Sequence, residues 1–213
     1  YIVAEKMSFD GREQILTAKS DVEILDYDWD GVLTGEYLTL DQRNESGRIY
    51  GNPRLSFAGK DLVFRADLMA FDGLLNQVTM TEAVFFENNS VHVESEEAIL
   101  SADAAQVVFY HGIELKEKKK TNNYSYRMVA DTLSVDLVEG EFIQADLNGY
   151  FKVNIETVSG DMGLIMGSEG SMDFSNGNLM AIELNKDPEL EYKGSEMADD
   201  NRFKGDKMKL FFD

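Results

Sequence analysis

The sequence contains no cysteine and only two prolines among its 213 residues. The absence of cysteine excludes a disulfide scaffold and thiolate metal sites, and it fits the cytosol and the periplasm equally. The scarcity of proline excludes a proline-rich linker and a collagen-like chain. No stretch approaches the roughly 18 consecutive apolar residues that a membrane-spanning helix needs. The chain is nevertheless 43% hydrophobic and 11% aromatic, which is enough to line a substantial apolar interior.

Basic residues are also scarce, since 20 lysines and arginines stand against 40 acids and the formal net charge is −20. This excess of negative charge repels nucleic acid and anionic membrane surfaces, so no nucleic-acid partner is expected. The acids are interleaved with apolar residues and do not form one tail. This distribution indicates a solvated exterior on a folded domain, because a disordered acidic segment would lack the apolar residues.

The opening residues, YIVAEK, have neither the basic start nor the long apolar core of a signal peptide. An export signal or membrane anchor of the native protein is therefore expected to lie outside these 213 residues.

A short pattern recurs along the chain: a small residue, an acid, and apolar residues two and four positions after the acid. It is clear in RADLMAFDG (65–73), and Gly170 takes the acid's place in a weaker copy. The remaining copies are TGEYLTLDQ (34–42), SADAAQVVF (101–109), VADTLSVDL (129–137) and KGDKMKLFF (204–212), the weaker one being SEGSMDFSNG (168–177). The anchors at 36, 67, 103, 131, 170 and 206 are about 28 to 39 residues apart, a period typical of an array of similar supersecondary units.

The unit is predicted to be built from β-strands, because a spacing of two places the apolar residues on one face of a pleated strand. Turn signals such as FDG (71–73) and SNGN (175–178) separate the runs. No stretch of about twelve residues has the 3.6-residue period of a helix. The predicted inward pairs are Leu38 with Leu40, Met69 with Phe71, Ala105 with Val107, Leu133 with Val135, Phe151 with Val153, Met172 with Phe174, and Met208 with Leu210.

Two architectures bury one apolar face of many antiparallel strands. One is a sandwich with a filled core. The other is a serial antiparallel β-jellyroll, a solenoid-like sheet folded over an apolar trough in the manner of a "β-taco", and the repeat favours it. We therefore predict an all-β fold with an apolar interior, forming a single elongated domain over 1–213 with about six strand-pair repeats.

The acid of each repeat conflicts with this prediction, because it has the same parity as the apolar pair. Asp67, for example, would point inward if its strand were continuous. A bend or bulge just after the acid, or a position at an open rim, would relieve the conflict. The sequence leaves both solutions open.

Catalysis is poorly supported, and we expect the chain not to be an enzyme. The two histidines, His92 and His111, lie in strand or turn segments without a recognisable nucleophile motif. A pair of carboxylates for glycoside hydrolysis is conceivable among 40 acids, yet no spacing selects two of them.

Two polar segments have ordinary structural interpretations. DYDWDG (26–31) resembles the start of a calcium loop, which makes Asp26, Asp28 and Asp30 a weak calcium candidate, but the twelfth position is Tyr37 where a glutamate is required. A hairpin turn is the favoured interpretation, and no cofactor or other metal is predicted. ELKEKKKTNN (114–123) is the one basic cluster and is predicted to be a solvated hairpin tip.

The repeats RADLMAFDG and VADTLSVDLVEG and the closing run NGNLMAIELNKDPELEYKGSEMADDNRFKGDKMKLFF (176–212) resemble the OstA-like repeats of lipopolysaccharide-transport proteins, the LptA/LptC family. The resemblance extends over nearly the whole chain. It implies a β-jellyroll, a periplasmic location, and lipopolysaccharide acyl chains held inside the fold. It also implies edge-strand pairing with other lipopolysaccharide-transport proteins, or head-to-tail pairing of copies, into a bridge between the two membranes. Exposed edge strands are templates for such pairing.

Three functions follow as hypotheses. The first is a lipid carrier in which Leu38, Leu40, Met69, Phe71, Val107, Leu133, Val135, Phe151, Val153, Met172, Phe174, Met208 and Leu210 contact the lipid. The second is a structural or adhesive β-solenoid with a filled core. The third is a carbohydrate-active β protein that uses surface carboxylates and aromatic residues such as Trp29. A cavity open at its ends would favour the first, a fully packed interior the second, and an acid-lined groove the third.

Overall fold

The structure is a computed structural model that describes residues 1–26, 31–101, 103–118, 123–194 and 201–212. It is all-β, and its strands pair antiparallel throughout one large sheet of the described residues. The strands are β1 (Ile2–Val3), β2 (Lys6–Asp10), β3 (Ile15–Asp26), β4 (Gly31–Asp41), β5 (Ser46–Tyr50), β6 (Arg54–Phe57), β7 (Val63–Arg65), β8 (Leu68–Asp72), β9 (Gln77–Glu87), β10 (Val91–Ser101), β11 (Gln106–Glu117), β12 (Tyr124–Val138), β13 (Glu141–Thr157), β14 (Met162–Ser175), β15 (Asn178–Lys186), β16 (Glu189–Lys193), β17 (Asn201–Lys204) and β18 (Met208–Phe211).

The sheet is folded lengthwise into two layers that face each other. A long strand such as β4 pairs with β6 through its first half and with β5 through its second half. Likewise, β14 pairs with β16 first and with β15 afterwards. Each pass of the chain therefore crosses from one layer to the other, and the apolar faces of both layers meet inside. The predicted serial antiparallel folded sheet is confirmed.

Every pass bends at the crease between the layers, and on alternate passes the bend carries a small residue followed by an exposed polar residue, usually an acid. At Ala66 and Asp67 the chain leaves β7 and enters β8, so Ala66 is buried and Asp67 is exposed. At Ala130 and Asp131 the pairing of β12 with β13 shifts register, with the same result. The small–acid pairs Ala4–Glu5, Gly35–Glu36, Ser95–Glu96 and Gly205–Asp206 occupy corresponding bends. At these positions the acid is thus turned outward by a bend or bulge, whereas Asp103 takes the rim alternative in a hairpin turn.

The intervening passes bend through residues with positive φ, the left-handed backbone region. Glu82 and Ala83 on β9 have φ of 62° and 48°, and His111 and Gly112 on β11 have φ of 58° and 60°. Corresponding bends contain Ser20–Asp21, Gly51–Asn52, Gly149 and Asp187. The two kinds of bend lie side by side: the Asp67 amide donates to the Glu82 carbonyl at 2.9 Å, and the Tyr150 amide donates to Asp131 Oδ2 at 2.8 Å.

Two of the predicted repeat anchors do not lie at such bends. Asp103 lies in the hairpin turn between β10 and β11, where Oδ1 accepts hydrogen bonds from Ser101 Oγ at 2.6 Å and the Ala105 amide at 3.1 Å. Ala105 is consequently exposed, and its predicted inward position is wrong. The bend of that pass is at Ser95 and Glu96, earlier in the chain. Gly170 lies past its bend and is buried on the inner face.

The interior between the layers is almost entirely apolar. Of the described residues, Asn88 and Ser95 are the buried polar ones, and no charged residue is buried. The acids accordingly lie on the outside, as the composition predicted. No helix among the described residues is long and apolar enough to cross a membrane.

Candidate functional site: the apolar interior and its two openings

The middle of the interior is filled by aromatic side chains that contact one another across the two layers. Phe86 lies with its ring centroid 5.0 Å from Phe64, 5.8 Å from Phe109 and 5.3 Å from Phe142. Phe142 in turn meets Phe174 edge-on at 5.7 Å. Such offset and edge-to-face pairs are favourable arrangements for buried rings. The central part of the molecule is therefore a packed core, and no ligand could enter it without separating the layers.

The rims of the two layers are joined over this packed region. Asn88 Nδ2 donates to the Gly140 carbonyl at 3.0 Å, and Ser90 Oγ donates to Glu141 Oε2 at 3.1 Å. Asn88 Oδ1 also accepts from the amides of Ser90 and Val91 at 2.9 and 2.8 Å. Because Asn88 is buried and both ends of its side-chain amide are hydrogen-bonded, it holds two hairpins of opposite layers together.

A cavity of about 630 Å³ opens where the last strands end the fold. This C-terminal cavity is within the size range of small-molecule sites, roughly 300–1,000 Å³. Thr157, Ser159 and Asp161 contribute polar groups to its lining. Its apolar wall is formed by Tyr124, Ile155, Ile165, Leu190, Tyr192, Leu210 and Phe212.

Gly163 gives the C-terminal cavity much of its room. It pairs with Ile155 on one side and Tyr192 on the other, and all three line the cavity. A Cβ atom at Gly163 would meet Ile155 Cβ at 3.9 Å and nothing closer. The absence of a side chain at this inward position therefore leaves space that its neighbours do not fill.

Tyr124 and Tyr126 both point inward at this end of β12 but differ in their hydroxyl groups. Tyr124 donates a hydrogen bond to the Leu179 carbonyl of the opposite layer, and its ring lies 5.2 Å from that of Phe212. The Tyr126 hydroxyl is buried and has no hydrogen-bond partner among the described residues. Burial, reinforced by the nearby Glu117 carboxylate, raises the pKa of Tyr126 far above its ordinary value, so this phenol stays protonated.

The two tyrosines are expected to respond in opposite ways to loss of the hydroxyl group. Tyr124→Phe should lower the free energy of unfolding by about 1 kcal/mol, because it removes a bond between the layers. Tyr126→Phe should leave it unchanged or raise it by about 1 kcal/mol, because it removes an unpaired buried polar group. Urea denaturation of the two variants and the parent protein measures both free-energy changes. Equal losses in unfolding free energy would contradict the conclusion that the Tyr124 hydroxyl is hydrogen-bonded and the Tyr126 hydroxyl is not.

A second, smaller cavity of about 180 Å³ opens in the N-terminal half. This N-terminal cavity lies between the layers, since Leu33 and Leu55 line it from one layer and Phe71 and Val78 from the other. Asp72 and Gly73 of the following hairpin form part of its edge. The interior is thus open at both ends and packed between them, so the folded sheet that the repeat favoured has a partly filled trough.

All thirteen residues predicted to contact lipid lie on the inner face of the sheet. Phe71 lines the N-terminal cavity and Leu210 the C-terminal one. Leu40, Phe71, Met208 and Leu210 are half-buried. Nine are buried in the core, namely Leu38, Met69, Val107, Leu133, Val135, Phe151, Val153, Met172 and Phe174. Contact with lipid remains a prediction for all of them.

Sequence reasoning did not single out Tyr124, Gly163, Leu190, Tyr192 or Phe212. The alternation in YSYRM (124–128) is a usable signal for Tyr124, and the alternation in ELEYKG (189–194) is one for Leu190 and Tyr192. The sequence contains no signal for Gly163, because a glycine in a strand has the same sequence pattern whether or not a neighbouring atom fills the space beside it.

Of the other candidate residues, the two histidines lie outside the interior. Asp28, Trp29 and Asp30 lie outside the described residues, and of Asp26 the backbone alone is described. No cluster of potential metal ligands occurs in the ranges that the structure describes. His92 Nε2 is 3.0 Å from Glu94 Oε1 on the outer face, and His111 lies at a bend.

The basic cluster contributes ion pairs to the outer surface. Glu114 Oε1 lies 2.6 Å from both Lys116 Nζ and Arg127 Nη2. Hydrogen bonding from Lys116, and then from Arg127, holds the pKa of Glu114 below its ordinary range. Lys118 pairs with Glu87, whereas residues 119–122 of the predicted hairpin tip lie outside the described residues.

Fold and site together define a folded antiparallel β-sheet with an apolar interior that opens at both ends. No protein-family model matches the chain, and no curated protein matches it. Among solved structures, the chain is similar to LptH from Pseudomonas aeruginosa, described as the LptA homologous periplasmic component of the conserved lipopolysaccharide transport device. The match covers 53% of this chain and 82% of that chain at 13% sequence identity, with a TM-score of 0.47. A likeness at this identity and TM-score carries no information about ligand or partners.

Proposed function

We propose that this chain is a non-enzymatic lipid-binding protein that holds acyl chains in its apolar interior, with the C-terminal cavity as the principal seat. The observation that carries the proposal is the cavity of about 630 Å³, whose wall of Ile155, Ile165 and Leu190 continues into a core without a buried charge. Such a surface favours hydrocarbon, and Asp161 is the one charged residue in the described lining of the cavity.

Lipopolysaccharide is the lipid that the OstA-like repeats favour, and a periplasmic location goes with it. A phosphate-bearing headgroup would not be drawn into an interior that lacks cations. It would stay in solvent at the mouth of the cavity, where the hydroxyl groups of Thr157 and Ser159 are already hydrogen-bonded to each other and Ser159 donates to Asp161. The charged side chains of the described residues lie outside the interior and the chain has a net charge of −20, so divalent cations are expected to assist the approach of an anionic lipid.

Transport along a bridge between membranes requires partners, and the ends of the sheet offer them. In the described residues, β2 pairs only with β3 and β18 only with β15, so each has a free edge. Met7 and Phe9 on β2 are 55% and 54% exposed, and Phe211 on β18 is 73% exposed. Strand addition at these edges would join the chain to other lipopolysaccharide-transport proteins or to further copies, and would cover these side chains.

A structural β-solenoid is the second candidate, because the packed middle of the interior favours it. The rings around Phe86 and the bonds of Asn88 close the passage between the two cavities. If that closure is permanent, each end is an isolated pocket and the chain is a scaffold.

Native mass spectrometry separates the two candidates. Protein purified from a lipopolysaccharide-producing host should carry adducts that organic extraction removes and whose mass is that of a lipid. Added lipopolysaccharide should restore them. Absence of a co-purifying lipid together with no uptake of added lipopolysaccharide would refute the lipid-binding function and leave the scaffold.

A further inference from the structure

Three consecutive hairpins of one layer end in the same turn. Their sequences are FDGREQ (9–14), LDQRNE (40–45) and FDGLLN (71–76), with Asp10, Asp41 and Asp72 at equal spacing along the chain. These hairpins join β2 to β3, β4 to β5 and β8 to β9. They form a row along one rim at the N-terminal end of the fold.

The aspartate of each turn plays the same structural part. Asp10 Oδ1 accepts from the amides two and three residues later at 2.9 and 3.3 Å, Asp41 Oδ1 at 3.0 and 3.1 Å, and Asp72 Oδ1 at 3.0 Å from each. Neighbouring turns are also joined, because the Gln42 amide donates to the Gln14 carbonyl and the Gly73 amide to the Glu45 carbonyl. The three turns therefore have one geometry and are fixed to one another.

The side chains that these turns present differ in one place. The first turn presents Arg12 and Glu13 and the second presents Arg43 and Asn44, all exposed. At the same positions the third presents Leu74 and Leu75, which are 75% and 65% exposed. Since two copies form the turn with polar residues, the turn itself does not require leucine. Two adjacent, rigidly held leucines in water call for a surface that buries them.

The position of Leu74 and Leu75, here called the Leu74–Leu75 tip, indicates which kind of surface buries them. Leu74 follows directly on Gly73, which lines the N-terminal cavity together with Phe71 and Val78. A stable protein partner needs an interface of about 1,200 to 2,000 Å² in total, far more than two leucines flanked by polar turns supply. Two side chains can insert among lipid chains. Arg12 and Arg43 on the neighbouring turns suit lipid phosphates, while Asp10, Glu13, Asp41, Glu45 and Asp72 give the row a net negative charge, which favours a zwitterionic lipid surface over an anionic one.

We propose that the Leu74–Leu75 tip inserts into a lipid surface and brings the N-terminal cavity against it, so that lipid is taken up through this end. The proposal rests on the lipid-binding function and adds to it the site of entry and the partner, a lipid membrane. Entry at the N-terminal opening differs in place from the principal seat at the C-terminal cavity, and lipid would reach that seat only by separating the layers around Phe86.

Insertion is tested by fluorescence of a tryptophan at the tip. Leu74→Trp is made with Trp29→Phe, so that the introduced indole alone emits, and is mixed with phosphatidylcholine vesicles containing brominated acyl chains. Quenching at position 74, and none for Val138→Trp on another hairpin of the same layer, is the expected result. Equal quenching at both positions, or none at 74, overturns the proposal, whether or not the interior binds lipid.

Entry is tested by giving the third turn the residues of the second, Leu74→Arg with Leu75→Asn. Because the Arg43–Asn44 turn already has this geometry, the variant should fold normally. Its uptake of a fluorescent lipid from phosphatidylcholine vesicles should slow by about tenfold or more, and Leu74→Met with Leu75→Met should retain the parent rate.

The same variant distinguishes failure of entry from failure of lipid binding. Its equilibrium binding of lipid presented in detergent should equal that of the parent protein. An unchanged rate of uptake from vesicles overturns the entry proposal while lipid binding stands. Vesicle insertion by a parent protein that binds no lipid in detergent refutes the proposed function and leaves a membrane-docking tip. Pull-down of a protein partner that depends on Leu74 and Leu75, without vesicle binding, assigns the tip to protein and also overturns the proposal.

Discussion

Replacement of Gly163 by leucine is expected to weaken lipid binding at the C-terminal cavity strongly without weakening the fold. The new side chain would grow from the inner face of β14 into the cavity, where Ile155 Cβ at 3.9 Å is the nearest atom to its Cβ. Lipid affinity should fall by at least about tenfold, equivalent to 1.4 kcal/mol, because the leucine occupies space that an acyl chain needs. The free energy of unfolding should stay level or rise by about 0.5–1 kcal/mol, since glycine weakens a strand interior.

Gly167 provides the matched control on the same face of the same strand. A Cβ atom there would lie 2.8 Å from Phe151 Cζ and 3.3 Å from the Lys186 carbonyl oxygen, so Gly167→Leu should destabilise the protein by about 1–3 kcal/mol or more through overpacking. Isothermal titration with solubilised lipid and urea denaturation measure affinity and stability for both variants. A folded Gly163→Leu protein that binds lipid as tightly as the parent would place the ligand elsewhere.

Much of the fold follows from the sequence, because apolar residues at every second position identify the inner face of a strand. Met69 with Phe71, and Leu133 with Val135, repeat the same alternation in separate units, and both pairs lie inward as predicted. Burial of one face constrains register strongly, since a slip of one residue would turn every such pair outward. The inner face of these strands is therefore predictable from the sequence alone.

The bends were only partly predictable because their backbone conformations leave little trace in residue type. Glu82 and Ala83 have positive φ, although neither is a residue that favours it. The pattern that marks a bend at Asp67 also occurs at Asp103, where the acid forms a hairpin turn. A small residue followed by an acid suits both conformations, so spacing alone cannot separate them.

The cavities were less predictable still, because they depend on which inward positions lack bulk once the layers are brought together. Both Gly163 and Gly170 are inner-face glycines of β14. A Cβ atom at Gly170 would lie 2.7 Å from the Glu183 carbonyl oxygen, whereas one at Gly163 would make only an ordinary contact with Ile155 Cβ at 3.9 Å. One glycine permits close approach of two strands and the other leaves room for a ligand, a difference that resides in the neighbours.

Substitution of a glycine at a bend is expected to destabilise the protein strongly. Gly149→Ala should lower the free energy of unfolding by about 2–4 kcal/mol, as left-handed strain combines with a collision at the bend. Gly149 has a φ of +79°, and its added Cβ would lie 2.7 Å from Asp131 Oδ2 and 2.8 Å from Asp131 Cβ. The collision would also disturb the hydrogen bond from the Tyr150 amide to Asp131.

Gly59→Ala separates the two causes, because Gly59 has a similar φ of +74° but nothing within 4 Å of its added Cβ. It should lose about 1–2 kcal/mol, the cost of the left-handed backbone alone. The excess at Gly149, read from urea denaturation of both variants, measures how tightly the acid of one pass packs against the positive-φ bend of the next. Equal losses at the two glycines would mean that the crease tolerates side chains there. The pairing of acid and bend would then not be what holds the two layers at their fold.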